Sequence, residues 1–112
     1  MGLNDRALPR RFTALAERGV RMDDISVEHN ASPAKLDIMG VYDWPVWSKE
    51  VSTFEWSYDK EEVCYLLEGA ATITPQEGVP VNIEAGDLVR FPKGLRCTWQ
   101  IHAAVSKHYE FK

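Results

Sequence analysis

Two short segments of the chain place chemically useful side chains at strand-like spacing. Trp56, Tyr58 and Glu62 are separated by even numbers of residues, and so are Cys97 and Trp99. Because side chains alternate between the two faces of a strand, the members of each set can share a face. A positioned carboxylate can serve as a general acid or base, and aromatic walls suit a small-molecule pocket. Each set therefore predicts one strand face with side chains that suit the lining of such a pocket.

The same side chains also have purely structural interpretations, which the sequence leaves open. Glu62 is either an acid/base group or a carboxylate paired with a nearby cation or hydrogen-bonded to Tyr58. Cys97 is either a ligand or reactive thiolate, or a small buried apolar residue. The aromatic residues either fill the core or stack on a planar ligand. Lys107 either neutralises Glu62, binds an anionic ligand or lies in solvent at a strand edge.

The elements that must position these residues are short strands. From residue 25 onward, apolar and polar residues alternate in segments that end at turn residues, as in ISVEH, VSTFEWSY, EVCYLLEG and AATITP. Further segments of this kind are VPVNIEAG, LVRFPKG, CTWQIH and KHYEF. Seven or more strands at this spacing predict an all-β sandwich or barrel. Trp44 and Trp47 fall in a predicted loop, DWPVW, that covers an end of the barrel or a subunit interface.

Helical signals are confined to the first 40 residues. Leu8, Phe12 and Leu15 recur at helical spacing and predict a short amphipathic helix over residues 6–20. Ser32 followed by Pro33 predicts a second short helix, which Gly40 closes. We therefore divide the chain into an N-terminal arm, residues 1–24, and an all-β domain, residues 25–112.

Composition excludes several classes of function. The chain has 112 residues, a formal net charge of −4 and no basic run, which argues against nucleic-acid binding. No apolar run is long enough to span a membrane, and the first residues lack the apolar core of a secretory signal. The two cysteines do not form a disulfide framework, so we expect a reducing, cytoplasmic location.

Several fragments resemble the cupin superfamily. Gly86, Pro92 and Gly94 have the spacing of the second cupin motif, and Glu62 and Gly69 match the last two members of the first motif. The amino-acid sequences of the segments resemble those of small single-domain cupins grouped with the ureidoglycine aminohydrolase cupin domain, also known as the DUF861 type. The resemblance covers the all-β domain and implies a jelly-roll barrel of two antiparallel sheets. It also implies that the two strand faces lie opposite each other, so that Trp56, Tyr58, Glu62, Cys97 and Trp99 line one cavity.

The resemblance also implies where a metal would be expected, because metal-binding cupins hold a divalent ion with motif histidines and the glutamate. Here Trp56 and Tyr58 take the histidine positions of the first motif when its shorter spacing is used, and Cys97 takes the histidine position of the second. Two alternatives remain open: a divalent metal bound through Glu62 and Cys97, or a barrel without metal. The manganese of ureidoglycine aminohydrolase is not carried over, since its ligands are not matched.

Two functional hypotheses follow. The first is an enzyme acting on a polar, nitrogenous small molecule, with Glu62, Tyr58 and Cys97 as the catalytic candidates. The second is a non-enzymatic small-molecule-binding or assembly module that retains a degenerate metal site. In both, further pocket residues are expected at Trp56, Cys64, Trp99 and Lys107. We also expect a homodimer, because open sheet edges must be paired or covered and two-fold assemblies are the commonest.

Overall fold

The computed structural model describes residues 24–112, so the predicted helix over residues 6–20 and the arm up to residue 23 lie outside the described residues. No helix in the described part of the chain is long and apolar enough to cross a membrane. The regular elements are β1 (Ser26–Glu28), α1 (Pro33–Met39), a 3-10 turn (Val41–Asp43), β2 (Val46–Lys49), β3 (Ser52–Ser57), β4 (Glu62–Pro75), β5 (Val81–Glu84), β6 (Leu88–Phe91) and β7 (Arg96–Phe111).

The strands of residues 24–112 form one antiparallel sheet of seven strands. Five of them follow the order β1-β6-β4-β7-β2, while β3 pairs with β7 and β5 pairs with β4. The two longest strands run through both halves of this sheet. β4 pairs with β6 in its first half and with β5 in its second, while β7 pairs with β3 first and with β2 later. The all-β antiparallel prediction is confirmed, and the two expected sheets are halves of one hydrogen-bonded sheet.

Gly69 corrects one detail of the sequence interpretation, which placed a tight turn between EVCYLLEG and AATITP. Both segments belong to β4, and Gly69 lies inside it, where the register with β7 is irregular. Its φ is +97°, and a Cβ built there would lie 2.3 Å from the Ala104 carbonyl oxygen. Glycine thus lets β4 bend while β7 stays close. CTWQIH and KHYEF likewise form a single strand, β7.

The core lies between the two halves of the bent sheet. Its largest fully buried side chains include Phe91 from β6, Ile73 from β4, Ile83 from β5 and Trp99 from β7. Alternation along β4 and β6 sends the neighbouring residues to the outer face. There Val63 and Leu88 form a second buried cluster with Leu36 of α1 and its neighbours. The short helix therefore covers one outer face of the barrel and leaves the interior to the strands.

The sequence signals for α1 are confirmed. The Ser32 hydroxyl accepts a hydrogen bond from the Lys35 backbone N–H at 3.2 Å, Pro33 opens the helix, and Gly40 ends it with φ +74°. The predicted DWPVW loop is only partly correct. Trp44 follows the 3-10 turn, but Trp47 lies in β2, where it pairs with Lys107 of β7.

Candidate functional site

The interior of the barrel contains a cavity of about 190 Å³. Its polar lining comes from Tyr58, Glu62 and Lys107. Its aromatic lining comes from strands β2, β3 and β7, and consists of Trp47, Phe54, Trp56, Trp99, Tyr109 and Phe111. Trp56 and Phe111 are about half exposed, whereas the three polar residues and Trp99 are buried. The exposed rings therefore form the rim of the cavity, and the polar groups lie at its floor.

A buried ion pair occupies that floor. β4 pairs antiparallel with β7, with Glu62 opposite Phe111 and Lys107 opposite Leu66. The two side chains therefore approach each other along the inner face of the paired strands. The Lys107 Nζ donates to Glu62 Oε2 at 2.7 Å, and their side chains are 6% and 3% exposed. Of the alternatives that the sequence left for Lys107, the structure shows neutralisation of Glu62. A buried charge requires such a partner.

Aromatic rings surround the ammonium of Lys107. Its Nζ lies 4.8 Å from the ring centre of Trp99, 4.9 Å from that of Trp47 and 5.8 Å from that of Phe91. The π faces of aromatic rings attract a cation, most strongly where water is excluded. Phe54 stacks on Trp99 with an angle of 11° between the ring planes, and both rings line the cavity. The rings therefore add cation–π contacts to the ion pair inside the barrel.

The ion pair leaves hydrogen-bonding capacity unused. The Lys107 ammonium has three N–H groups, of which one is donated to Glu62 Oε2. Within residues 24–112, neither its other N–H groups nor Glu62 Oε1 has a hydrogen-bond partner. Buried polar atoms without partners are uncommon in native proteins and point to water or a ligand. The floor of the cavity thus offers donors and an acceptor side by side.

Tyr58 adds a hydroxyl donor to this floor. Its ring stacks on Phe91 with 4.9 Å between ring centres and 7° between ring planes. Burial raises the pKa of the Tyr58 hydroxyl far above its usual value, and the nearby Glu62 carboxylate adds to that rise; a hydrogen bond from the Trp99 side chain acts the other way. Tyr58 therefore remains a neutral phenol at physiological pH and can donate a hydrogen bond to a ligand.

The two cysteines pack in the core beside the cavity and do not line it. Cys64 is fully buried in β4, and Cys97 of β7 is 5% exposed, with its Sγ 3.8 Å from the Trp56 carbonyl oxygen. Burial raises the pKa of the Cys64 thiol to about 12, against the opposing charge of Lys107. Burial, aided by Glu62, raises the pKa of Cys97 to about 11. Both thiols are free and remain protonated near neutral pH.

The residues at the cupin metal positions do not fit a divalent ion. Residues 24–112 contain no group of three or more His, Cys, Asp or Glu side chains that could hold one. Trp56 has no ligand atom, the Cys97 thiol is directed to the Trp56 carbonyl oxygen, and Glu62 is bonded to an ammonium. Divalent metals require deprotonated ligands in sufficient number. The candidate pair Glu62 and Cys97 therefore does not form a metal site in this geometry.

The structure brings together five of the predicted pocket residues, namely Trp56, Tyr58, Glu62, Trp99 and Lys107. Their functional roles remain predictions. The sequence interpretation did not assign Trp47, Tyr109 or Phe111 to the pocket. A usable signal was present, because Lys107, Tyr109 and Phe111 alternate along β7 with a period of two, which places all three on the inner face. Trp47 was missed because its segment was interpreted as a loop.

Comparisons with known proteins place this geometry among cupins. A family model described as the EutQ-like cupin domain matches residues 37–109. The chain is 47% identical to a DUF861 family protein of Thermotoga maritima, whose crystal structure aligns over 80% of this chain and 100% of that one with a TM-score of 0.77. A comparison with curated proteins gives no match.

More distant solved structures share the fold. The Clostridium difficile EutQ protein is 23% identical over 59% of this chain and 52% of its own, with a TM-score of 0.54. A DUF861 family protein of Pseudomonas syringae is 24% identical over 60% of this chain and 29% of its own, with a TM-score of 0.55. At these identities the likeness shows the barrel alone.

Proposed function

The chain belongs to the EutQ-like cupin domain family, and we propose that it binds a small, ring-sized polar molecule in its barrel cavity. One observation carries the proposal. The buried Glu62 and Lys107 pair presents unused hydrogen-bonding atoms inside an aromatic cavity. A concave, mostly apolar site with a few convergent polar groups is the usual form of a small-molecule site.

The size of the cavity supports a ligand with one ring. A cavity of roughly 150 Å³ in another protein is sufficient for benzene. The volume of about 190 Å³ therefore accommodates a six-membered ring with one small substituent. The ring packs against the aromatic side chains of the wall, and the substituent reaches Glu62 and Lys107 at the floor.

The four tryptophans allow a direct test. Trp47, Trp56 and Trp99 line the cavity, whereas Trp44 does not. The indole N–H resonances of the protein are assigned by NMR and followed as benzamide, benzoate and benzamidine are added separately to millimolar concentration. The proposal expects at least one probe to shift the resonances of the three cavity tryptophans while that of Trp44 stays in place. It fails if no probe shifts the cavity resonances.

A pair of rim variants controls this experiment. Trp56 is 48% exposed on the rim, and Tyr42 is 52% exposed outside the cavity. Because both side chains are about half in solvent, replacing either by alanine leaves the core intact. Trp56→Ala is expected to weaken probe binding at Trp47 and Trp99, and Tyr42→Ala to leave it unchanged. Equal effects of the two variants would contradict binding in the cavity.

Catalysis at the same site is the second candidate. Glu62 Oε1 has no hydrogen-bond partner among residues 24–112 and lies where it can take a proton from a bound molecule. The Lys107 ammonium and the Tyr58 hydroxyl are then placed to stabilise developing negative charge. Mass spectrometry of molecules released from the purified protein supplies the natural ligand. Its conversion by the wild type and not by Glu62→Gln supports an enzyme; unchanged recovery supports a binding module.

For the assembly we propose a homodimer that uses the free edge of β2. β2 ends the sheet order, so within residues 24–112 no strand pairs with its outer edge. His108 of β7 pairs with Val46 of β2 on one side and with Tyr65 of β4 on the other. The ring of Tyr42 contacts the rings of His108 and Tyr65. We call these four residues the Tyr42 patch. A second copy related by a two-fold axis would pair the β2 edges and cover both patches.

A further inference from the structure

The polar floor of the cavity defines what a ligand must offer. Glu62 and Lys107 are 2% and 5% exposed, so water reaches them only through the cavity. Glu62 Oε1 is an acceptor without a donor among the described residues, and the Lys107 ammonium retains unpaired N–H groups. The Tyr58 hydroxyl adds a second donor group, since its proton has no acceptor among residues 24–112. A complementary ligand therefore donates to Glu62 and accepts from Lys107 or Tyr58.

The charges at the floor limit the charge that a ligand can carry. Glu62 and Lys107 neutralise each other at 2.7 Å, so the site has no net charge to balance an incoming ion. A ligand carboxylate that accepts from Lys107 also comes close to the Glu62 carboxylate, and an amidinium that donates to Glu62 also comes close to the Lys107 ammonium. In a cavity walled by aromatic rings, such like-charge contacts are poorly screened and the ion loses its hydration.

We propose that the cavity selects neutral planar amides, including cyclic ones, over carboxylates and amidines of the same shape. An amide carries an N–H donor and a carbonyl acceptor on one edge, so it can bond to Glu62 Oε1 and to Lys107 or Tyr58 at the same time without adding charge. Its flat shape also suits packing against the aromatic rings that line the cavity. This inference rests on the proposed function, that the cavity binds a ring-sized molecule.

Three isosteric probes test it with the wild-type protein. Benzamide is neutral, benzoate is an anion and benzamidine is a cation at pH 7, while their ring and substituent sizes are nearly equal. Dissociation constants come from the shifts of the Trp47 and Trp99 indole resonances, with Trp44 as the internal reference. We expect benzamide to bind at least about tenfold more tightly than either charged probe, a difference of about 1.4 kcal/mol.

The outcomes separate the two proposals. If a charged probe binds as tightly as benzamide at the cavity tryptophans, the preference for amides is wrong and the binding function stands. If none of the three probes shifts those resonances, the binding function fails and the preference fails with it. Benzamide that shifts only Trp44 would place binding outside the cavity and would also overturn both.

Two substitutions extend the test, because each leaves one charge of the floor unpaired. Glu62→Gln leaves the Lys107 ammonium, so the preferred probe should change from benzamide to benzoate. Lys107→Met leaves the Glu62 carboxylate, so the preferred probe should become benzamidine. An unchanged order of affinities in either folded variant would contradict the charge argument. Where a variant fails to fold, the comparison of probes in the wild type still decides the question.

Discussion

The Lys107 ammonium lies 2.7 Å from the Glu62 carboxylate in a part of the barrel where both side chains are buried. Glu62 matches the glutamate of the first cupin motif, which in metal-binding cupins faces a divalent cation. Here the carboxylate faces a cation that is covalently part of the chain. Because the aromatic rings of Trp47 and Trp99 also contact this ammonium, the positive charge is stabilised from several sides. The barrel interior is thereby balanced in charge without any ion from solution.

The first prediction concerns the stability of this pair. Glu62→Leu or Lys107→Met alone leaves one buried charge without its partner, and we expect each to lower the free energy of unfolding by about 3–5 kcal/mol. The double variant Glu62→Leu/Lys107→Met removes both charges, and its stability should return to near that of the wild type, because apolar replacements of a buried ion pair are often neutral. Urea unfolding followed by tryptophan fluorescence measures all four proteins.

Probe binding completes that cycle. The double variant retains the aromatic walls but lacks the polar floor, so it should lose the preference for benzamide over the charged probes. If the double variant loses as much free energy of unfolding as the two single variants together, the two residues act independently. That result would contradict the view that the ion pair stabilises the fold as a unit.

The second prediction concerns the bend in β4. Gly69→Ala adds a Cβ that would lie 2.3 Å from the Ala104 carbonyl oxygen at φ +97°, so backbone must move. Gly94 is the matched control, because its φ is +90° and nothing lies within 4 Å of an added Cβ. We expect Gly94→Ala to cost about 1–2 kcal/mol for the left-handed backbone alone. Gly69→Ala should cost clearly more; equal losses in urea unfolding would show that the approach of β4 to β7 is unimportant.

The barrel and the floor of its site could be predicted from the sequence, because both depend on local patterns. The spacing of Gly86, Pro92 and Gly94 predicted the fold, and even separations put Tyr58 and Glu62 on one face. The continuity of β4 could not be predicted, since a glycine in a bulge and a glycine in a turn have the same sequence signal.

Side-chain contacts between residues far apart in the sequence depend on the register in which their strands pair. Lys107 was one candidate partner of Glu62 among several alternatives, and only the pairing of β4 with β7 decides between them. The position of Cys97 outside the cavity lining also depends on strand pairing. Alternation placed it on the inner side, but its position opposite Trp56 in β3 directs its thiol towards the Trp56 carbonyl group instead.

The third prediction is a loss of stability at alkaline pH. Burial raises the pKa of Cys97 from its ordinary value of 9.0 to about 11 in the folded protein. Because the unfolded chain ionises first, the contribution of Cys97 to stability is fully present below pH 9.0 and is lost as the pH rises to about 11. Urea unfolding between these pH values should give a steeper fall for the wild type than for Cys97→Ser, whose hydroxyl does not titrate there. Equal slopes would contradict it.

The fourth prediction follows from the same protonation states. Both thiols are buried, and thiolate is the reactive form, so a disulfide reagent at pH 8 should react slowly with Cys64 and Cys97 in the native protein. Both cysteines should react rapidly once urea unfolds the chain. Rapid reaction of either thiol in the native state would contradict this prediction, and rapid reaction at Cys97 would support its role as a nucleophile.

The last prediction concerns assembly through the β2 edge and the Tyr42 patch. Val46 is 52% exposed on β2, and a lysine there would place a charge between two copies if their β2 edges pair. Val79 is 78% exposed in the turn between β4 and β5, outside the Tyr42 patch, so Val79→Lys adds the same charge as a control. Sedimentation at tens of micromolar should show a dimer for the wild type and Val79→Lys, and a monomer for Val46→Lys. A monomeric wild type would refute the dimer, and a dimeric Val46→Lys would place the interface elsewhere. Because the cavity lining comes from one chain, probe binding should be the same in the monomeric variant, which separates the assembly from the site.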